Sequence, residues 1–138
     1  MALSLRPDGK IGVAGYSSLN GDSDFAVFEV NTNLNFDASF QPATNGNIAI
    51  VNGFTKATGP GSVNSVVTLP DGRILVVGYI DTYPIDFCAL ARYLPDGNLD
   101  PTFAGGGLFT VSGETNSTGV DAVVQPDGKT ILLAGRLL

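Results

Sequence analysis

Short apolar runs recur along the chain, each closed by a turn-forming phrase. The run "SVNSVVTL" leads into Pro70, Asp71 and Gly72 and out again through "RILVVGY". β-Branched residues crowd these runs, and nowhere do apolar positions recur at the spacing of a helix face, so the pattern predicts strands throughout. The turn phrase has a mechanism. Proline pre-sets φ for the second turn position, aspartate suits the next, and glycine accepts the positive φ that closes the loop. A three-residue connection ending in glycine predicts a hairpin with a type I turn and a bulge. "ILVV" and "ILLA" are apolar on both faces, as expected of strands covered by a sheet on each side.

The phrase occurs three times: "RPDGKIGVAG" from Arg6, "LPDGRILVVG" from Leu69 and "QPDGKTILLAG" from Gln125. Pro7 and Pro70 are 63 residues apart, Pro70 and Pro126 56. Gly15 aligns with Gly78, the pair Asp24 and Phe25 with Asp86 and Phe87, and "FDASF" with "LDPTF". The copies keep equal length as far as Phe40 and Phe103, so the difference of seven residues falls in "QPATNGNIAIVNGFTKATGPG". Loops tolerate such insertions where strands do not.

The first copy offers strands over 2–5, 10–16, 25–30 and 47–51, and the second over 63–69, 73–79, 87–93 and 108–111. The third adds 120–125 and 131–134. The chain thus divides into repeats at 1–61, 62–119 and 120–138. Four antiparallel strands at a period near 60 predict an all-β fold of β-propeller-like blades, incomplete as a single chain. The main rival, a β-sandwich, would not need three near-identical hairpins.

"LPDGRILVVG", "DFCALARYLPDGNLDPTFAGGG" and "QPDGKTILLAG" resemble the delta-60 repeat family of bacterial β-propeller-like proteins. The likeness is close over residues 62–138 and weaker over 1–61. The first copy departs from the pattern with "NTNLNFDASF" where the family has a second PDG turn, and the third carries an extra residue, Thr130. That residue must either bulge or flip the strand's inward and outward faces. The resemblance implies a secreted or cell-surface location and a repeat with no catalytic residue set of its own. No signal peptide is visible in "MALSLRPDGK".

Composition narrows the function. The net charge of −6 and the scatter of seven Lys and Arg residues argue against a nucleic-acid partner. The longest apolar runs are far short of a membrane span. A single cysteine, Cys88, excludes an intrachain disulfide and reads as a small core residue.

There is no histidine, so neither a Ser-His-Asp relay nor the usual zinc site can form. A pair of carboxylates would suffice for glycoside hydrolysis. However, Asp8, Asp71, Asp96 and Asp127 belong to PDG turns, and Asp37 and Asp100 share one repeat position, which suggests a structural corner. The expectation is a protein that is not an enzyme and needs no cofactor.

"NGDSD" at residues 20–24 spaces oxygen ligands in a calcium-like way but lacks the count such a loop needs, so no metal site is expected. "NST" at 116–118 and "AGGG" at 104–107 read as a polar loop and a turn. The loops at 17–24 and 80–86 together expose Asn20, Asp22, Asp81 and Tyr83, an aromatic ring with acids and amides, and so offer the alternative reading of a carbohydrate-binding, lectin-like propeller.

Repeats of this kind bury their faces only against neighbours, and two are seldom enough. The favoured reading is a structural or interaction module that self-associates through sheet edges into a ring or filament. The partner is a further copy of the chain or further repeats of a longer one. Val120, Val123, Ile131 and Leu133 of the third hairpin are the candidate assembly edge.

Overall fold

The structure, a computed structural model, describes residues 1–17, 24–42, 49–51, 61–82, 84–111, 116–128 and 131–137. These residues form ten strands in three antiparallel sheets. The first sheet runs in the order β1 (Ala2–Leu5), β2 (Ile11–Ser17), β3 (Asp24–Val30) and β4 (Ala49–Val51). The second repeats that order with β5 (Ser62–Thr68), β6 (Ile74–Asp81), β7 (Asp86–Tyr93) and β8 (Leu108–Thr110). The third pairs β9 (Ser117–Val124) with β10 (Ile131–Leu137). Strand β9 starts three residues before the repeat boundary expected at 120.

All three PDG hairpins close as their chemistry requires. The glycine N–H donates back to Arg6, Leu69 and Gln125 at 2.8–3.0 Å, and Gly9, Gly72 and Gly128 all lie at positive φ. A fourth turn of the same kind follows β7, where Gly97 N–H donates to Leu94 and Gly97 sits at φ 89°. The divergent first copy makes this turn too. Leu34 N–H donates to Asn31, and Leu34, not glycine, takes the left-handed position at φ 62°. A side chain there costs about 1–2 kcal/mol, and Leu34 gains nothing back by burial, since it is 74% exposed.

Strand pairing corrects one alignment. Gly15 faces Ala26, and Gly78 faces Ala89. Counting on from there, the counterpart of Phe25 is Cys88, one residue beyond the Phe87 that the shared "DF" suggests. Phe25 and Cys88 are both buried, whereas Phe87 is only partly so. Burial on one face of the pleat, not identity of letters, sets the equivalence.

The third hairpin keeps its register despite Thr130. Ile131 pairs with Val124 just as Ile74 pairs with Thr68, each partner lying two residues before its proline. Thr130 lies outside the described residues, and the register of Ile131 beyond it shows that the strand's faces are not flipped. Both hairpins carry a bulge at the same repeat position, Asn64 in one and Val120 in the other, next to Gly78 and Gly135.

The second sheet is the middle layer. Ile74, Val76, Ala89, Ala91 and Tyr93 pack with Ala14, Phe25, Val27 and Phe40 of the first repeat. On its other face Leu75, Val77, Cys88 and Leu90 pack with Leu69 and Ala122, flanked by Val124 and Ile131. The four residues from Ile74 to Val77 are wholly shielded from water, as the two-sided apolar run predicts. At about 1.5–3 kcal/mol for each large aliphatic side chain, this layer dominates the stability. In the third sheet the equivalent run is not covered alike: Leu133 and Ala134 are exposed.

Gly78 marks where the backbones approach most closely. A Cβ there would fall 1.9 Å from the Ser62 carbonyl oxygen and 3.1 Å from the Phe25 ring. At Gly15, its counterpart, a Cβ would meet nothing within 4 Å. Gly78→Ala is therefore expected to destabilise the fold by about 2 kcal/mol or more, and Gly15→Ala to change it by less than about 0.5 kcal/mol. Urea denaturation of the two variants checks this, and equal effects would contradict the packing.

Candidate functional site

The polar clusters occupy one end of each four-stranded sheet and are built from repeat-equivalent residues. After β3 and β7 the chain turns at a corner aspartate, whose N–H donates to Glu29 for Asp37 and to Arg92 for Asp100. Each carboxylate also accepts from the N–H two residues on, Ser39 or Thr102, at 3.0 and 2.9 Å. A hairpin cation then reaches the corner: Lys10 pairs with Asp37, and Arg73 lies 3.4 Å from Asp100. On the strand beside the corner the sign differs between copies. Arg92 Nε donates to Asp100 at 2.7 Å, whereas Glu29, at the equivalent place, accepts from Arg6 at 2.9 Å. Phe103 closes the second corner, its ring 4.7 Å from the Arg92 guanidinium carbon, a cation–π contact.

These pairings set the protonation of the acids. Burial alone would raise the Asp100 carboxyl, but hydrogen bonds from Thr102 and the Arg92 guanidinium outweigh it and hold the group at about 2. Asp37 is treated the same way, with Lys10 and Ser39 overcoming burial to keep it below the usual carboxylate range. A hydrogen bond from Arg73 lowers Asp71. Carboxylates held this firmly in the charged form by neighbouring cations are poorly placed to act as general acids, and the arrangement works as an ionic lock on each corner.

Asn20, Asp22 and Tyr83 lie outside the described residues. Asp81 closes β6 opposite Asp86. There burial, with the charge of Asp81 added, raises the Asp86 carboxyl. Asp86 N–H donates to Asn116 Oδ1 at 2.8 Å, so the asparagine of "NST", just ahead of β9, ties the start of the third sheet to the second. Beside it, Cys88 N–H donates to the buried Ser117 hydroxyl at 3.0 Å. Cys88 itself is buried, and burial raises its thiol pKa. Among the described residues no group of three or more Cys, Asp or Glu side chains could hold a metal ion.

The candidate assembly residues divide by face. Ile131 packs towards the second sheet's core. Val120, at the bulge, and Val123 are exposed, and so is Leu133. Leu133 lines a groove of about 290 Å³ with Cys88, Val111, Ser117 and Leu137, along the unpaired side of β10. The sequence reading missed a second open surface. Leu3, Leu5 and Phe36 of the first repeat are exposed, with Phe36 edge-on to Phe28 at 5.4 Å. Their repeat positions signalled it: they are the counterparts of Val66, Thr68 and Leu99, which meet the first sheet from the second.

Stacked antiparallel sheets that repeat one hairpin, one bulge and one aspartate corner define a β-propeller repeat protein. The chain belongs to the family described as Domain of unknown function (DUF5122) beta-propeller, whose model matches residues 6–40 and 69–103. Both matched stretches run from the PDG hairpin to the phenylalanine that closes the corner. No curated protein matches the chain.

Asp100→Asn removes the acid while leaving Arg92 buried, which is expected to cost about 3 kcal/mol at neutral pH. The carboxyl is depressed from 3.8 to about 2, so its contribution is complete above pH 4 and lost as pH falls through 2. The gap between wild type and variant should narrow by about 2 kcal/mol from pH 5 to pH 2. Asp37 and Asp71 remain in both proteins and cancel from the difference. Urea melts across this range read the gap directly, and a gap independent of pH would refute the lock.

Proposed function

We propose that the chain is a non-enzymatic β-repeat interaction module, of the delta-60 kind, whose activity is self-association through its open third sheet. One observation carries this reading. The order of the third sheet is β10–β9, so the strand that is internal in the other two sheets is an edge here among the described residues. Seven residues of β10 stand in register with β9 on one side. Its other side presents backbone donors and acceptors to any strand that meets it. Exposed Val120, Val123, Leu133 and Leu137 give that hairpin an apolar surface as well. A hairpin of this kind is stabilised by added strands, since two alone are marginal in water.

The non-enzymatic part of the reading is supported by the pairing of the corner acids with cations. A bacterial cell-surface or secreted setting is carried over from the delta-60 resemblance, and it suits a module that works by joining to others.

Native mass by light scattering behind a sizing column, over a range of concentrations, tests the reading. A multimer that dissociates on dilution is expected. A folded monomer of 14.2 kDa at every concentration would overturn self-association.

A further inference from the structure

The two open faces of the molecule are not unrelated apolar patches. They are the two halves of an interface that the chain already makes twice within itself. Between the first and second sheets, Ser4 Oγ lies 2.9 Å from Thr68 Oγ1, and Thr68 N–H donates to Ser4 Oγ at 3.0 Å. One repeat further on, the residues at these two positions are Val67 and Val124. Both pack against the core between the second and third sheets. One step further again, the first position becomes Val123, on the outer face of the third sheet. The second position, followed back into the first repeat, is Leu5, on the outer face of the first sheet. These two residues are 59% and 72% exposed.

The interface between the second and third sheets adds polar contacts of its own. Ser65 in the second sheet donates to Asp121 in the third, and Asn64 donates to the Gly119 carbonyl at 2.7 Å. What both interfaces share is the Ser4 or Val67 position on one sheet and the Thr68 or Val124 position on the next. Leu3, the counterpart of the buried Val66, waits exposed beside Leu5.

The geometry points to a second copy of this chain as the occupant of both faces, docked head to tail. The third sheet of one copy lies on the first sheet of the next, with Val123 against Leu5. This inference rests on the self-association proposed above and assigns the contact to the sheet faces, with the edge of β10 as the rival contact. The contact uses two different patches, so it is heterologous and propagates until the rotation closes a ring or continues as a filament. It is face packing, distinct from strand addition at the edge of β10.

Complementation between two charged variants tests it. Leu5→Glu spoils the first-sheet face and Val123→Glu the third-sheet face, and both sites are exposed enough to leave the fold intact, which circular dichroism and thermal melting verify. Each variant alone is expected to be a monomer by light scattering. An equimolar mixture should give a dimer and nothing larger, because the intact third sheet of one variant meets the intact first sheet of the other. The remaining two faces both carry glutamate.

A multimeric wild type whose variants both stay multimeric would overturn the face assignment and leave β10 edge pairing as the contact. Variants that are monomeric alone but do not recombine would overturn the head-to-tail arrangement. A monomeric wild type would overturn the association reading itself, leaving further repeats of a longer chain, or a different protein, to cover the faces.

Discussion

A β-sheet that is apolar on both faces must be covered on both faces, and the rest of this molecule follows from that constraint. The run from Ile74 to Val77 alternates its side chains between two cores, and all four residues are shielded completely. No two-layer arrangement can do this. The middle sheet requires one neighbour that supplies Phe25, Val27 and Phe40 and another that supplies Ala122, Val124 and Ile131. The requirement then passes outward, because each neighbour is a version of the same unit and carries a second face of its own. Stacking by repetition shifts the problem of coverage to the ends of the stack without removing it.

The polar end of each unit solves a different problem, that of turning the chain out of β3 or β7 without leaving backbone groups unpaired. The aspartate at the corner accepts from the backbone beyond it and is held by a cation from the hairpin, while its own N–H returns to the strand. Its low pKa is a consequence of that arrangement. The same repeat position carries Glu29 in one unit and Arg92 in the other, so charge there is not copied, only satisfied. Glu29 recruits Arg6, and Arg92 recruits Asp100. The Glu29 side chain, fully buried with Oε2 lacking a hydrogen bond among the described residues, makes the first corner the less complete of the two.

What could be read in advance was whatever repeats as chemistry. The PDG turns, the strands they join and the two-sided apolar run announce themselves because proline, glycine and β-branched residues each have one strong local preference. The corner role of Asp37 and Asp100 was legible for the same reason. Three features were not. The "DF" pair aligns by letters but slips by one in space, since burial of Phe25 and Cys88 on the same face decides the register. Leu34 takes a position that local preference reserves for glycine, because the surrounding hairpin dictates its φ. The open face of the first sheet was hidden by being ordinary: Leu3 and Leu5 look like core residues, and only the absence of an opposing sheet among the described residues makes them surface. Of the four proposed ligand residues, only Asp81 is described, and it is engaged beside Asp86.

The internal interfaces differ in how they specify alignment, and that difference bears on assembly. First to second sheet, the register is pinned by Ser4 and Thr68; second to third, by Ser65 with Asp121 and Asn64 with the Gly119 carbonyl. A polar pair in a packed interface penalises any shifted alignment, because a shift leaves its donors and acceptors unpaired. At the positions where Ser4 and Thr68 pin the first contact, the outer faces carry Val123 and Leu5. Apolar residues contribute burial but little directional penalty. The polar pins keep the molecule's own sheets in register, and the outer faces carry no counterpart to the Ser4–Thr68 pair.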